Sequence, residues 1–398
     1  MRLKSINYVQ FHGTPREWSL CDLTLKPINL VVGKNATGKT RTLNVIHGLG
    51  KLVSGRQSPS ALATGTYRTS FEHEGGILYY SLDIQDRKVV SEEFRVGDLT
   101  LLTRGAGGVG TIFHKKENKH IEFQTPEAQA AVVARRDTIQ HGFLESLNHW
   151  GAGVRHYAFG ETMGRTTIAV LVPDGPAPDP ADVNAVIGLF RKAENDFPVA
   201  FAQAVQDDMN KIGYNIVKIG VMLPTDITIE VSSPVPVSPS VLFVRERDLP
   251  DVTQQTDMSQ GMFRALSVII LLNYAVFATR PSCIIIDDIG EGLDYDRSCR
   301  LIDLVRQKAQ ASSVQLIMGT NDRFVMNSVP LEEWSVLQRE SGTVKVRNYE
   351  NSKPIFDQFK FTGLNNFDFL ATDFLNEGAK DLPREVDEPG GRSPDRAQ

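Results

Sequence analysis

Apolar positions along this chain change period several times, and each change marks an element. Runs over residues 3–11 and 18–25 alternate apolar and polar positions, while 27–32 is apolar apart from Asn29. The first two read as half-buried strands and the third as a buried one. Leu43, Ile46, Leu49 and Val53 then recur at helical spacing across 39–53. A Ser/Thr/Gly-rich loop is expected over 54–70. Beyond it, β-like runs over 76–84, 88–96, 110–114 and 120–123 have short connections, which predicts an antiparallel meander. Residues 125–150 read as mostly helical, 155–159 and 167–172 as strands, and 181–195 and 198–212 as helices. Strands follow over 215–223 and 226–231, with Pro-rich breakers at 173–180 and 232–240.

The most apolar stretch, 265–278, is interrupted by Asn273 and Tyr274 and is too short to cross a bilayer, so it reads as a buried helix. Residues 283–286 form an apolar run ending in Asp287 and Asp288. A helix over 297–310 follows, with Leu301, Ile302, Leu304 and Val305 on its apolar side, and then a buried strand over 314–318. Five phenylalanines between 355 and 370 read as packing on the protein's own core. The chain after about 377 is polar and charged, and disorder is expected there.

Composition narrows the class without deciding it. The 398 residues are 41% hydrophobic and 23% charged, which suits a globular protein with a sizeable core. A net charge of −5 gives no global field toward nucleic acid. Basic residues cluster only at Arg135-Arg136, at His114-Lys115-Lys116 with Lys119-His120, and at Arg245 with Arg247, and these read as solvated faces. Cys21, Cys283 and Cys299 have no metal or disulfide spacing and fit a reducing compartment. No continuous apolar core follows Arg2 and Lys4, so no secretory signal is read, and a cytoplasmic location without membrane association is expected.

The chemistry begins at residues 33–40, Gly-Lys-Asn-Ala-Thr-Gly-Lys-Thr, a complete G-x-x-x-x-G-K-[ST] phosphate loop between a predicted strand and a predicted helix. Gly33 and Gly38 let backbone N–H groups turn toward phosphates, Lys39 reaches the β- and γ-phosphate oxygens, and Thr40 offers a hydroxyl to Mg²⁺. This pattern implies a bound nucleoside triphosphate. A second glycine pattern, Gly105, Gly107 and Gly110, spells a dinucleotide fingerprint. A strand rather than a helix is expected after it, so it reads as a hairpin loop. Asp287 and Asp288 end a buried strand, where a carboxylate can hold Mg²⁺ through water. Ser259 and Gly261 open the apolar helix, either as an N-cap or as an anion-facing turn.

The order of these pieces resembles the ATP-binding cassette (ABC) ATPases, in the soluble branch of RecF, the SMC proteins and the overcoming-lysogenisation-defect (OLD) ATPases. Residues 33–40 match that family's phosphate loop. Its Leu-Ser-Gly-Gly-Gln signature aligns with Met258-Ser259-Gln260-Gly261-Met262, and its Asp-Glu-Pro-x-x-x-Leu-Asp with residues 287–294. The resemblance implies an α/β fold: a P-loop NTPase of ABC-ATPase type, with a mixed central sheet, an antiparallel β meander and an α/β insertion. The head would occupy 1–172 and 253–375, the insertion 173–252 and a tail 376–398.

It further implies ATP and Mg²⁺ as cofactors. Gly33, Asn35, Gly38, Lys39, Thr40 and Arg41 would bind ATP. Thr40, Asp287 and a Q-loop candidate, Gln140, would serve the metal, and Lys39, Asp288 and Asn321 catalysis. Ser259, Gly261 and Asp294 would meet the ATP or surface of a second copy, giving a homodimer or higher oligomer through an ATP sandwich.

Asp288 stands where the family has Glu, and Asn321 where it has its switch His, so slow turnover is expected. The favoured function is an ATP-gated sensor or regulator of a prokaryotic anti-phage defence system, with a separately encoded effector. The alternatives are a RecF-like DNA-binding repair ATPase, in which nucleic acid is a partner, and a nearly non-hydrolysing scaffold assembled by ATP.

Overall fold

Buried β-branched runs from both ends of the chain assemble into one mixed sheet of 14 strands. The structure, a computed structural model, describes residues 1–74, 76–161, 163–171, 177–180, 182, 184–225, 238–278 and 283–377. Strands β1 (Arg2–Gln10), β2 (Trp18–Thr24) and β3 (Ile28–Val32) open the chain, and β3 feeds helix α1 (Lys39–Ser54). The meander is β4 (Gly65–His73), β5 (Gly76–Gln85), β6 (Lys88–Val96), β7 (Leu99–Arg104), β8 (Val109–His114) and β9 (Lys119–Gln124). Short α2 (Ala131–Ala134) and α3 (Glu145–Gly153) lead to β10 (Val154–Ala158).

An α/β segment then carries β11 (Ala169–Leu171), α4 (Val186–Asp196), α5 (Ala200–Lys211), β12 (Ile216–Met222), β13 (Ser238–Glu246) and β14 (Val252–Gln254). The chain returns through α6 (Gln260–Phe277), β15 (Cys283–Asp287), α7 (Tyr295–Gln310), β16 (Gln315–Gly319) and α8 (Arg323–Ser328). It closes with β17 (Trp334–Glu340), β18 (Thr343–Asn348), α9 (Lys353–Lys360), α10 (Asn366–Ala371) and α11 (Phe374–Glu377).

The strand order is β10-β15-β16-β3-β17-β18-β2-β1-β4-β5-β6-β7-β8-β9. The pairs from β10 through β15, β16 and β3 to β17 are parallel, so their carboxyl ends share one edge. That edge is where ligands bind in open α/β sheets. Side chains alternate between two cores. Leu30, Ile286 and Met318 face α6 and α7, whereas Val31, Ile285 and Ile317 face α1. The meander shares the α1 core, where Phe71 packs edge-on against Trp150 at 4.8 Å.

The apolar 265–278 run forms most of α6 and ends at its C-cap, Ala278; the helix has a length and apolarity that would suit a bilayer, yet it is mostly buried inside the protein. Asp208 of α5 fixes the inserted segment to it, accepting from Asn273 at 2.8 Å and pairing with Lys308 of α7 at 2.7 Å. Phe356, Phe359 and Phe369 are buried as expected, but Phe361 is 91% exposed.

Four expectations change. The loop read over 54–70 ends early, because Gly65–His73 pairs with both β1 and β5. β7 is an added strand. Of the helix read over 125–150, residues 125–130 and 135–141 are not helical: the Asp137 carboxylate accepts from the N–H groups of Ile139 and Gln140 in an Asx-type turn between α2 and α3. The end of the second breaker is strand, since Ser238, Pro239 and Ser240 pair with β11. The strand expected over 226–231, the breaker residues 173–176 and the tail from 378 lie outside the described residues.

Candidate active site

β3 is buried throughout and ends at Val32, which delivers Gly33 to the carboxyl edge. A Cβ on Gly33 would sit 2.6 Å from the Thr37 hydroxyl and 3.0 Å from the Leu337 carbonyl, so the turn has room only for glycine. Gly38 takes φ +101° at the N-cap of α1 and provides no side-chain cap. The first N–H groups of α1 are therefore left to an external acceptor, which the helix dipole makes preferentially anionic. Asn35 and Thr40 are exposed on this loop, and Lys39 is buried.

The Lys39 ammonium donates to the carbonyls of Gly33 at 2.9 Å and Lys34 at 3.4 Å. Burial pulls it below the usual lysine range, and the carboxylates of Asp288 and Asp287 offset part of that. Arg41 lies on the flank of the loop, 4.1 Å from the Trp18 ring centre and donating to Gln10 at 2.7 Å.

Asp287 reaches the same place because β15 lies beside β16, which lies beside β3. Its neighbour on β16 is Gly319, where a Cβ would sit 2.7 Å from Asp287 Oδ1. Asp287 Oδ1 accepts from the backbone N–H of Asp288 at 3.1 Å. Asp288 itself adopts φ +54°, a left-handed conformation in which non-glycine residues are uncommon. Burial, then Asp287, holds its carboxyl above the usual aspartate range, while Lys39 pulls the other way.

Asn321 is exposed on the next loop. Two hydrogen bonds lace that loop to the Asp288 turn: Thr320 Oγ1 to the Ile289 carbonyl at 3.1 Å, and Ile289 N–H to the Gly319 carbonyl at 3.1 Å.

Ser259 and Gly261 form a second group. Ser259 is the N-cap of α6, accepting from the Met262 N–H at 3.2 Å, and it is exposed. A Cβ on Gly261 would meet the Gly292 carbonyl oxygen at 2.3 Å, so the α6 turn packs directly on the turn that carries Asp294. Asp294 caps α7 through Arg297 and is exposed. Among the described residues no hydrogen bond joins Ser259 or Gly261 to the phosphate loop.

Gln140 is not part of either group. Its carbonyl accepts from Lys115 and its N–H donates to Asp137, at the β8–β9 end of the meander. What reaches the site instead is the exit of β10, which β15 holds in parallel register with Ala158 opposite Asp287. A Cβ on Gly160 there would lie 2.7 Å from Glu291 Oε2 and 3.5 Å from Asp288 Cβ. Sequence reasoning also missed Arg264, which donates to the backbone carbonyls of Gly160, Glu161 and Glu291. Its signal was the single charged residue of a largely apolar helix, five residues after Ser259.

The Gly105–Gly110 fingerprint is the β7–β8 hairpin connection, as expected. Two of the basic clusters share one end of the meander, where the His114 and His141 rings lie 6.0 Å apart. Lys119 pairs there with Glu117 and Arg136 with Glu145.

One solved structure aligns above a TM-score of 0.5, and others align less closely. An SMC head bound to the C-winged helix domain of ScpA aligns with a TM-score of 0.52 at 13% identity, over 87% of this chain and 98% of that one. The SMC head domain from Thermotoga maritima aligns at TM-score 0.43 and 13% identity, over 87% and 99%. A Pyrococcus furiosus Smc head with an extended coiled coil, bound to the C-terminal domain of ScpA, aligns at 0.49 and 11%, over 90% and 100%. No family model and no curated protein matches the sequence. The chain has the P-loop fold of ABC-type SMC heads.

Proposed function

We propose that this chain is an ATP-binding, slowly hydrolysing head that closes in pairs around nucleotide. The observation that carries this reading is the meeting of Lys39, Asp287 and Asp288 at the carboxyl ends of parallel strands, beside the uncapped start of α1. Backbone N–H groups of residues 33–40 and the Lys39 ammonium would hold the triphosphate. One hydroxyl from Thr40 and one buried carboxylate from Asp287 suit Mg²⁺, which keeps most of its coordination for phosphate and water. Bound there, the ion would neutralise charge developing on the β- and γ-phosphate oxygens.

Asp288 would orient the attacking water, and its raised pKa favours a carboxylate able to accept a proton. Asn321 has no titratable group and could only hydrogen-bond. Both substitutions relative to the family pattern support slow turnover.

Pairing rests on Ser259 and Asp294 being exposed on two turns that pack together at Gly261 and Gly292. A separately encoded partner belongs to the same reading, since the SMC head of the comparison is itself bound to a domain of ScpA. The role as a defence sensor is supported by the sequence resemblance to the OLD-like branch.

The test is phosphate release from ATP and Mg²⁺, with light scattering to follow mass, for wild type, Lys39→Ala and Asp288→Ala. Slow turnover and ATP-dependent doubling of mass, both lost in Lys39→Ala, are expected. Failure of the wild type to bind ATP, or turnover indifferent to Lys39, overturns the proposal.

A further inference from the structure

We infer that Arg264 is a positioning residue that ties the turn facing a second copy to the chain's own Asp288, so that closure on one nucleotide sets the geometry at the other. The inference rests on the nucleotide reading above.

Arg264 sits in the first turns of α6 with its side chain 4% exposed. Its guanidinium spends its donors on backbone carbonyls. Nε donates to Glu161 at 2.9 Å, one terminal nitrogen to Glu291 at 3.1 Å and the other to Gly160. Buried arginines are ordinarily paired with a buried carboxylate, as Arg104 is with Glu92 elsewhere in this protein. Among the described residues Arg264 has no buried carboxylate partner: the carboxylate beside it, Glu291, is 4.0 Å away and 57% exposed. A planar fork held by carbonyls fixes backbone segments relative to one another, which a lysine with a single ammonium does not do.

The segments it fixes have little freedom. Gly261 lies against the Gly292 carbonyl oxygen at a separation that excludes even a methyl group, and a Cβ on Gly160 would be in van der Waals contact with Asp288 Cβ at 3.5 Å. Packing of this density transmits displacement instead of absorbing it. A γ-phosphate from the second copy drawing on Ser259 and Gly261 therefore moves 261–264, and through Arg264 the 160–161 and 288–292 backbones move with it.

The experiment compares wild type with Arg264→Lys and Arg264→Gln in the full chain. A fluorescent ATP analogue gives affinity, light scattering gives ATP-driven pairing, and phosphate release gives kcat, KM and the Hill coefficient. Affinity within about twofold of wild type is expected, with kcat lower by at least about tenfold. The Hill coefficient should fall from about 2 to about 1. An unchanged kcat and Hill coefficient overturns the inference, and so does a kcat loss that merely follows lost affinity.

A second measurement keeps Arg264 intact. Hydrogen exchange is followed at residues 289–293 in wild type and Ser259→Ala with a non-hydrolysable ATP analogue. Protection in wild type that is absent in Ser259→Ala supports the coupling, and equal protection in both overturns it. Failure of the nucleotide reading itself would show separately, as a wild-type chain that neither binds nor hydrolyses ATP.

Discussion

Lys39 closes its own loop by donating from Nζ to the Gly33 carbonyl across 2.9 Å. A phosphate oxygen competes well for that ammonium, because a charge-assisted bond between ions is about twice as strong as one between neutral groups. Lys39→Ala is therefore predicted to weaken ATP binding at least about tenfold, or about 1.4 kcal/mol, and to abolish turnover. The apo protein should lose little, since one net hydrogen bond is worth about 1 kcal/mol and the ammonium is already penalised by burial. Analogue titration beside thermal unfolding without nucleotide checks both halves. A collapse of the apo fold would show that Lys39 is structural.

Asp288 is expected to trade stability against catalysis. Burial, then Asp287, raises its folded pKa above the unfolded value. The folded state therefore binds the proton more tightly, and stability falls as pH rises from the unfolded pKa through the folded one. At neutral pH the ionised carboxylate is a standing cost. Asp288→Asn should raise the thermal midpoint at pH 7.5 while removing turnover, and asparagine tolerates the left-handed backbone at this position. The gain should vanish in acid, where the wild-type carboxyl is protonated. For wild type, the acid limb of kcat/KM, which reports the free enzyme, should lie above the ordinary carboxylate range. A variant less stable at pH 7.5 would refute the argument.

The phosphate loop and Asp287-Asp288 were legible because each is a local pattern, a turn or strand end whose chemistry lies in consecutive residues. Gly160 and Arg264 were not, because their roles follow from β10 lying parallel to β15, more than a hundred residues later. Gln140 was misplaced for the related reason that an interval between motifs is not a distance in space. Its segment is held at the meander by Lys115 and Asp137. β4 was read partly as loop because Thr66, Arg68 and Ser70 make its composition polar. Yet Tyr67, Thr69, Ser70 and Phe71 are buried, and the strand pairs with both of its neighbours in the sheet.

His47 and His156 give the protein an acid-sensitive edge. Their rings meet at 5.3 Å between α1 and β10. Burial first, with Lys51 nearby, brings their pKa values down to about 3 and about 4. The unfolded chain takes up these protons near the ordinary value of about 6.5 while the folded chain does not. Stability is thus complete above that value and is lost as pH falls toward the folded pKa values. Urea unfolding at pH 7.5 and 5 should show this loss, and His47→Gln with His156→Phe should flatten it. An equal slope in the double variant would assign acid sensitivity elsewhere.

Ser259 separates two roles that its position allows. As the N-cap of α6 it accepts from Met262, and removal to alanine typically costs about 1 kcal/mol. Aspartate caps as well as serine does and adds charge where the helix dipole favours it. If capping were the whole role, Ser259→Asp would keep both stability and ATP-dependent behaviour. If the hydroxyl faces the γ-phosphate of a second copy, aspartate puts a negative charge against that phosphate. The prediction is a Ser259→Asp chain with a thermal midpoint at or above wild type, unimpaired binding of ATP to its own phosphate loop, and no ATP-driven pairing. Light scattering with and without ATP distinguishes the cases: pairing that survives the aspartate would reduce Ser259 to a cap, while pairing lost with the fold intact places it at the interface between heads.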